Sequence, residues 1–242
     1  TAPDNTTQLY RPLAILFSMK YRFFLFDLDN TLWDFEGNAL DCITELIQKH
    51  GLLKYIADPA AFYQMYRASN KQLWEMYEAG QITQQKLRNV RFVITLEQAG
   101  VPGAGQLGPV LGEQYLELMP TKTKLMPHAA QVLEHLRNKG CQMALLTNGF
   151  KQVQYDKVRN CGLDRFFGNR VFVSEEVGFH KPNPKIFAAA ITSINGKKKE
   201  TIMVGDNFQT DIEGAQVFGI DQFYYNPEGL PCDGGPTYMG SD

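Results

Sequence analysis

Seven polar residues whose types could carry out chemistry occupy similar positions along the sequence. Each one follows a short apolar run or lies in the loop beyond it. They are Asp27, Asp29, Thr147, Asn148, Lys181, Asp206 and Asp211. Taken singly, each has an ordinary explanation, since an aspartate after a strand commonly forms a turn or caps a helix. Ligands of open α/β sheets, however, bind at the carboxyl ends of the strands. We therefore expect the seven side chains to converge at one edge of a sheet.

The residue types in this set indicate a particular chemistry. Its four aspartates would repel one another at one sheet edge, so protons or a cation must be present. Oxygen ligands suit a hard cation, and Mg²⁺ is the usual partner of one or two carboxylates together with a substrate phosphate. A helix N-terminus after Thr147 and the charge of Lys181 would bind an anion beside the metal. Together these groups indicate phosphoryl transfer, with Mg²⁺ as the cofactor and a small phosphomonoester as the partner.

Five short, nearly continuous apolar runs predict the strands that must position these side chains. Such runs are typical of strands buried on both faces of a parallel sheet. They are Tyr21–Phe26, Cys141–Leu146, Val171–Ser174, Thr201–Val204 and Ile220–Tyr225. Helical patterns separate them, as at Ala129–Leu136, which Gly140 would end, and after Asn183-Pro184, an N-cap and first-turn proline. The alternation predicts an α/β fold, a Rossmann-like doubly wound parallel sheet.

Residues 35–119 interrupt this alternation, because they contain no strand signal and at least four helical segments. Asp58-Pro59 begins one helix, Thr83 caps another, and Gly100 can close it. The sequence therefore predicts an inserted four-helix cap domain over residues 35–119. The catalytic core is then discontinuous, over residues 19–34 and 120–242. We expect residues 1–18 to be an extension outside this fold, or disordered.

Composition excludes several classes of function. A formal charge of -2 argues against a protein that binds nucleic acid through a broad basic surface. No apolar run approaches the roughly 20 residues needed to cross a bilayer, so we expect no membrane partner. The four cysteines have no spacing typical of metal ligands, which favours reduced thiols in a cytoplasmic protein. The oligomeric state does not follow from the sequence.

Four segments resemble the four motifs of the haloacid dehalogenase-like hydrolases, and they occur in the order of that family. They are DLDNTLW at Asp27–Trp33, LLTNG at Leu145–Gly149, HKPNP at His180–Pro184 and GDNFQTDI at Gly205–Ile212. The helical insert after the first motif is similar to that of the subgroup with a four-helix cap. Members of the family usually continue into a last helix where this sequence ends, which leaves one edge of the predicted sheet undefined.

Three further segments resemble the pyrimidine 5′-nucleotidase branch of that family. They are Asn70–Thr83, Thr147–Phe150 and Ser174–Phe187. The resemblance implies a Mg²⁺-dependent phosphatase that acts through an aspartyl-phosphate, with nucleoside 5′-monophosphates as the substrate class. A sugar-phosphate phosphatase of the same family remains an alternative at this point.

The resemblance also implies a role for each matching residue. Asp27 would be the nucleophile, and Asp29 would protonate the leaving alcohol and then activate water. The metal would be held by the Asp27 side chain, the main-chain oxygen of Asp29 and the Asp206 side chain, with Asp211 in support. The phosphoryl oxygens would be bound by the remaining three residues, namely Thr147, Asn148 and Lys181.

The insert contains a further candidate pair. If residues 62–77 form one helix, Asn70 and Trp74 lie one turn apart at the edge of an apolar stripe. That stripe is formed by Phe62, Met65, Tyr66, Leu73, Met76 and Tyr77. In one interpretation Trp74 packs against another helix of the insert. In the other, Trp74 borders a nucleobase and Asn70 donates a hydrogen bond to its edge.

Three other functions remain as alternatives. A haloacid dehalogenase uses the same nucleophile but lacks the second aspartate, which this chain has at Asp29. A sugar phosphomutase has both that aspartate and a helical cap, and it would require a bisphosphate primer. A non-catalytic binding module predicts the loss of at least one motif, whereas all four are present.

Overall fold

The computed structural model describes residues 20–232 and 234–242, which fall into two compact units. Of the described residues, the α/β unit contains 20–33, Leu125–Lys151 and Gly162–Asp242. The helical unit contains Asp34–Lys124 and Gln152–Cys161. The expectation for residues 1–18 lies outside the described residues. The helical unit thus takes in a second segment, Gln152–Cys161, beyond the insert that the sequence predicts.

The α/β unit is built on one parallel sheet of six strands in the order β3-β2-β1-β4-β5-β6. The strands are β1 (Phe23–Phe26), β2 (Gln142–Thr147), β3 (Val171–Val173), β4 (Thr201–Gly205), β5 (Asp221–Tyr225) and β6 (Tyr238–Gly240). The predicted α/β fold is confirmed, and the first five strands coincide with the five apolar runs. The sixth strand was not predicted, because its three residues at the sheet edge form no apolar run.

Helices cover the central strands of this unit. Pro184–Ser193 contacts β1, β2 and β3, Asp164–Phe167 contacts β2, Ser174–Val177 contacts β3 and Gly214–Phe218 contacts β5, while Ala129–Asn138 packs against Asp164–Phe167. Leu25, Ala144 and Met203 come from three adjacent strands and are fully buried against Ile186 and Phe187. Burial on both faces explains why these strands are apolar at nearly every position.

Local signals fix the ends of these helices as the sequence predicts. Asn183 caps Pro184–Ser193, because its side chain accepts a hydrogen bond from the Lys185 backbone N–H at 3.0 Å. Gly140 follows Ala129–Asn138 with a φ of +74°, in the left-handed region that glycine tolerates best.

The helical unit contains four main helices, which are Phe35–Lys49, Pro59–Glu78, Gln84–Gln98 and Ala104–Leu118. Asp58 and Thr83 cap the second and third of these helices, as predicted. The rings of Tyr66, Phe92 and Tyr115 pack with centroids 4.9–5.5 Å apart, so that three of the four helices share one aromatic cluster.

The apolar stripe of the second helix differs in part from the expectation. Phe62, Tyr66 and Leu73 are buried, whereas Met76 is 39% exposed, so the prediction that Met76 belongs to the core is wrong. The buried face also includes Ser69 and Asn70. A face of this helix that is partly polar cannot be recognised from apolar periodicity alone.

Glycine allows the third and fourth helices to approach closely. A Cβ atom added to Gly108 would lie 2.7 Å from the backbone N and 2.9 Å from the Cα of Val93. A Cβ added to Gly112 would lie 2.5 Å from the carbonyl oxygen of Arg88. Because the obstacle in each case includes backbone, a larger residue would force the two helices apart.

We therefore expect Gly108→Ala to destabilise the protein by about 1–3 kcal/mol, since overpacking of a tight contact has a cost of that order. Gly105→Ala is the matched control, because Gly105 lies in the same helix and has nothing within 4 Å of an added Cβ. Alanine is the better helix former, so this control should leave stability unchanged or raise it slightly. Urea unfolding of the two variants measures the difference. Equal stability of both variants would show that the helices can separate without loss.

No helix in residues 20–232 and 234–242 is both long and apolar enough to cross a membrane. Cys42, Cys141, Cys161 and Cys232 are all free thiols, as the sequence predicts.

Candidate active site

The site begins where the central strand ends. The backbone N–H of Asp27 continues the pairing of β1 with β4 by donating to the Val204 carbonyl at 2.9 Å. The chain then turns, with Leu32 and Trp33 donating to the Leu28 carbonyl and Asn30 at a φ of 60°. Asparagine is among the residues that tolerate this left-handed conformation. Asp27 is buried at the strand end, while Asp29 is partly exposed in the turn.

Lys181 joins two of the buried aspartates. Its Nζ lies 2.5 Å from Oδ1 of Asp27 and 2.6 Å from Oδ1 of Asp211. Burial alone would lower the pKa of Lys181, but attraction to Asp211 and Asp27 outweighs burial and raises this pKa above its ordinary value. The ammonium therefore stays charged between the two carboxylates.

Asp206, after β4, completes a group of three carboxylates. Asp27, Asp206 and Asp211 each offer an oxygen within 4.8 Å of the others, and the hydroxyl of Thr31 donates to Oδ1 of Asp206 at 3.2 Å. Burial raises the pKa of Asp27 to about 7, with Lys181 opposing the rise and Asp211 adding to it. Burial, followed by repulsion from Asp27 and Asp211, also raises the pKa of Asp206 well above its ordinary value.

This group fits a hard divalent cation. Its donors are all carboxylate oxygens, and the Lys181 ammonium contacts two of the three carboxylates but not Asp206. Asp211 is the least available of the three, because Oδ1 accepts from Lys181 and Oδ2 accepts from the Asn207 backbone N–H at 3.1 Å. Asp27 and Asp206 are thus the side chains best placed to hold a metal.

The position of Asp211 depends on an irregular helix and a glycine. Asp211 lies in a π-helical turn, Phe208–Glu213, directly after β4, and such turns are frequent at functional sites. A Cβ on Gly205 would overlap the Asp211 carboxylate, so only glycine leaves it room. This role of Gly205 and the contacts of Thr31 and Asn207 are not among the features predicted from the sequence. Their places beside the aspartates were the only available signal.

Strand β2 ends at the other side of β1, with Thr147 and Asn148. Thr147 is buried, and its hydroxyl accepts from the Gly149 backbone N–H at 3.2 Å. The amide of Asn148 makes two hydrogen bonds to the backbone of Lys181. Nδ2 donates to the Lys181 carbonyl at 3.0 Å, and Oδ1 accepts from the Lys181 N–H at 2.8 Å.

The remaining two candidates lie elsewhere in the chain. Asn70 and Trp74 belong to the helix Pro59–Glu78 of the helical unit, whereas the other seven candidates all lie in the α/β unit. Asn70 is buried and accepts a long hydrogen bond, 3.5 Å, from the hydroxyl of Tyr66. Trp74 is half-buried, with its ring edge-to-face with Tyr77 at 5.6 Å.

Comparison with known proteins identifies relatives of this chain. Residues 21–219 match the family model of the haloacid dehalogenase-like hydrolases. The chain is 32% identical over 223 residues to the pyrimidine 5′-nucleotidase PynA of Streptococcus pneumoniae, covering 91% of each protein. It is 33% identical over 220 residues to the pyrimidine 5′-nucleotidase YjjG of Escherichia coli, covering 88% of this chain and 92% of that protein. The crystal structure of the HAD-hydrolase YfnB from Bacillus subtilis, bound to magnesium, matches with a TM-score of 0.78 at 29% identity, covering 91% of this chain and 94% of YfnB.

The raised pKa of Asp27 predicts that the stability of the metal-free protein depends on pH. Because this pKa rises from 3.8 to about 7 on folding, stability present at acid pH is lost as the pH rises through about 7. In the variant Asp27→Asn, the side-chain amide at this position does not titrate, so this contribution to the pH dependence is absent. In chelator, the melting temperature of the variant minus that of the wild type should therefore be larger at pH 8 than at pH 5, by at least about 3 °C.

Thermal unfolding at the two pH values tests this prediction. A divalent cation added at pH 8 should remove most of the difference, because it neutralises the charge that the Asn variant lacks. The same difference at both pH values would contradict the raised pKa.

Proposed function

The chain belongs to the haloacid dehalogenase-like hydrolases and is a phosphatase, a phosphoric monoester hydrolase of that family, and we propose that it is a Mg²⁺-dependent 5′-nucleotidase with Asp27 as its nucleophile. The observation that carries this proposal is the buried Asp27 carboxylate at the end of β1, with the Lys181 ammonium 2.5 Å away. The ammonium favours the ionised carboxylate, which is the form that can attack phosphorus.

The proposed reaction has two steps. An Asp27 oxygen forms a bond to phosphorus as the bond from phosphorus to the ester oxygen breaks, and Asp29 gives its proton to the leaving alcohol. Asp29 then takes a proton from water as the water oxygen attacks phosphorus and the bond to Asp27 breaks. The partial exposure of Asp29 supports this role, because alcohol and water must both reach it.

The other residues bind and orient the reacting groups. The side chains of Asp27 and Asp206 and the main-chain oxygen of Asp29 would hold the metal, and Asp211 supports the site through Lys181. When bound, Mg²⁺ neutralises negative charge on the transferring phosphoryl group. The magnesium bound to the relative YfnB supports the choice of ion. Thr147 and Lys181 would bind the phosphoryl oxygens.

The proposed substrate class is a nucleoside 5′-monophosphate. PynA and YjjG, two relatives that each match about nine-tenths of their length, are pyrimidine 5′-nucleotidases, which supports this choice. The four free cysteines are compatible with the cytoplasm, where thiols stay reduced and where we propose that the enzyme acts.

We expect Asp27→Asn to abolish turnover, because the amide is not a nucleophile. We also expect a chelator to abolish turnover of the wild type and added Mg²⁺ to restore it. The measurement is phosphate release from a panel of nucleotides, sugar phosphates and p-nitrophenyl phosphate, with beryllium fluoride trapping to locate the phosphorylated residue. Ca²⁺ should bind but support turnover poorly, since it is less demanding about geometry. Turnover of more than a few per cent in Asp27→Asn, or full activity in excess chelator, would refute the mechanism.

Trp74 tests the substrate class. If its indole stacks on the nucleobase, a contact typically worth about 1–3 kcal/mol, Trp74→Ala should raise KM for a nucleoside monophosphate about 5- to 150-fold. It should barely change hydrolysis of p-nitrophenyl phosphate. Tyr77→Ala is the matched control, because it removes the ring that packs on Trp74 and leaves the indole in place. Equal losses on both substrates, or the same KM change in the control, would assign Trp74 to packing.

A further inference from the structure

Lys181 must be placed accurately, yet it lies in a turn outside any helix or strand. The turn connects the short helix Ser174–Val177 to the helix Pro184–Ser193. A backbone in such a turn lacks the regular hydrogen bonds of a ladder, so its N–H and C=O groups need other partners. Because the ammonium lies at the end of a long side chain, any displacement of this backbone also displaces the ammonium.

Asn148 supplies both missing partners with one side chain. Its amide accepts from the Lys181 N–H at 2.8 Å and donates to the Lys181 carbonyl at 3.0 Å. This is the pairing that a neighbouring strand would offer, and it ties the end of β2 to a residue that is distant in sequence. One N–H of Nδ2 and one lone pair of Oδ1 thus bind the backbone of Lys181.

We propose that Asn148 is a positioning residue, which holds the backbone of Lys181 so that the ammonium lies between Asp27 and Asp211. It acts through Lys181, and this role replaces the direct phosphate contact that the sequence motif implies. The inference rests on the proposed function in one respect, since it takes Lys181 to serve phosphoryl transfer. The geometry of the pair is independent of that function.

The chain itself offers a matched control. The amide of Asn226 makes the same two hydrogen bonds to the backbone of Leu230, with Nδ2 donating to the carbonyl at 2.9 Å and Oδ1 accepting from the N–H at 2.8 Å. Asn226 follows β5 and makes its hydrogen bonds outside the group of aspartates. Asn148→Ala and Asn226→Ala therefore each remove such a pair of bonds, the second together with a 3.7 Å contact to the sulfur of Met239, but only the first releases Lys181.

The decisive experiment is a double-mutant cycle between Asn148→Ala and Lys181→Ala, with kcat and KM measured on p-nitrophenyl phosphate and a nucleoside monophosphate. A misplacement of about 1 Å can cost about 100-fold in rate, so we expect Asn148→Ala to lower kcat about 10- to 100-fold. Its KM should stay within about threefold of the wild type, and Asn226→Ala should keep the wild-type kcat. In the Lys181→Ala background, Asn148→Ala should lower kcat less than about twofold, since its effect is already lost.

Two outcomes of the cycle would overturn the proposal. Equal losses from Asn148→Ala in both backgrounds would show that Asn148 acts directly on the substrate. An equal loss of kcat in Asn226→Ala would show that loss of any such pair of amide–backbone hydrogen bonds slows the enzyme, wherever it lies. If Asn148→Ala does not fold, Asn148→Ser, whose side chain is too short to make both bonds, carries the same expectations.

A structural measurement separates this proposal from the proposed function. Crystal structures of Asn148→Ala and Asn226→Ala should show Lys181 displaced from Asp27 in the first variant only. If Lys181 stays in place in both, Asn148 does not position it. If the wild type hydrolyses none of the esters, the proposed function fails, while the crystal structures still decide the role of Asn148.

Discussion

The site depends on one constraint, which is the burial of several carboxylates of like charge beside the end of strand β1. Three carboxylates share one small volume with the Lys181 ammonium, and neither their burial nor their mutual repulsion is favourable. Lys181 offsets part of that cost by contacting two of them. The rest must be offset by protons or a cation, which is why the pKa of Asp27 and that of Asp206 are both raised in the metal-free protein.

Much of this arrangement could be predicted because its signals are local. Strands buried on both faces leave apolar runs, and the polar residue after each run marks a strand end, which gives Asp27, Thr147 and Asp206 directly. Helix ends are equally local, as at Asp58 and Thr83. Strand β3 has only three residues, but Val171–Val173 is still an apolar run that predicts it.

What could not be predicted depends on contacts between distant parts of the chain. The role of Gly205 follows only from the approach of the Asp211 carboxylate, and the burial of Asn70 only from its helix partners. The edge strand β6 has too few residues to show a pattern. Asn148 is instructive, because its motif indicates phosphate binding, while its amide bonds to a backbone more than thirty residues away.

The helical unit is made from two separated pieces of chain, and this has a consequence for how such proteins diversify. Its second piece, Gln152–Cys161, follows almost directly on Thr147 and Asn148. Exchange of the first piece alone between two genes would leave the second without the helices it packs with. A recombination that preserved the whole unit would have to span the strand end between the two pieces. The helical unit is therefore inherited together with the strand end that carries Thr147 and Asn148.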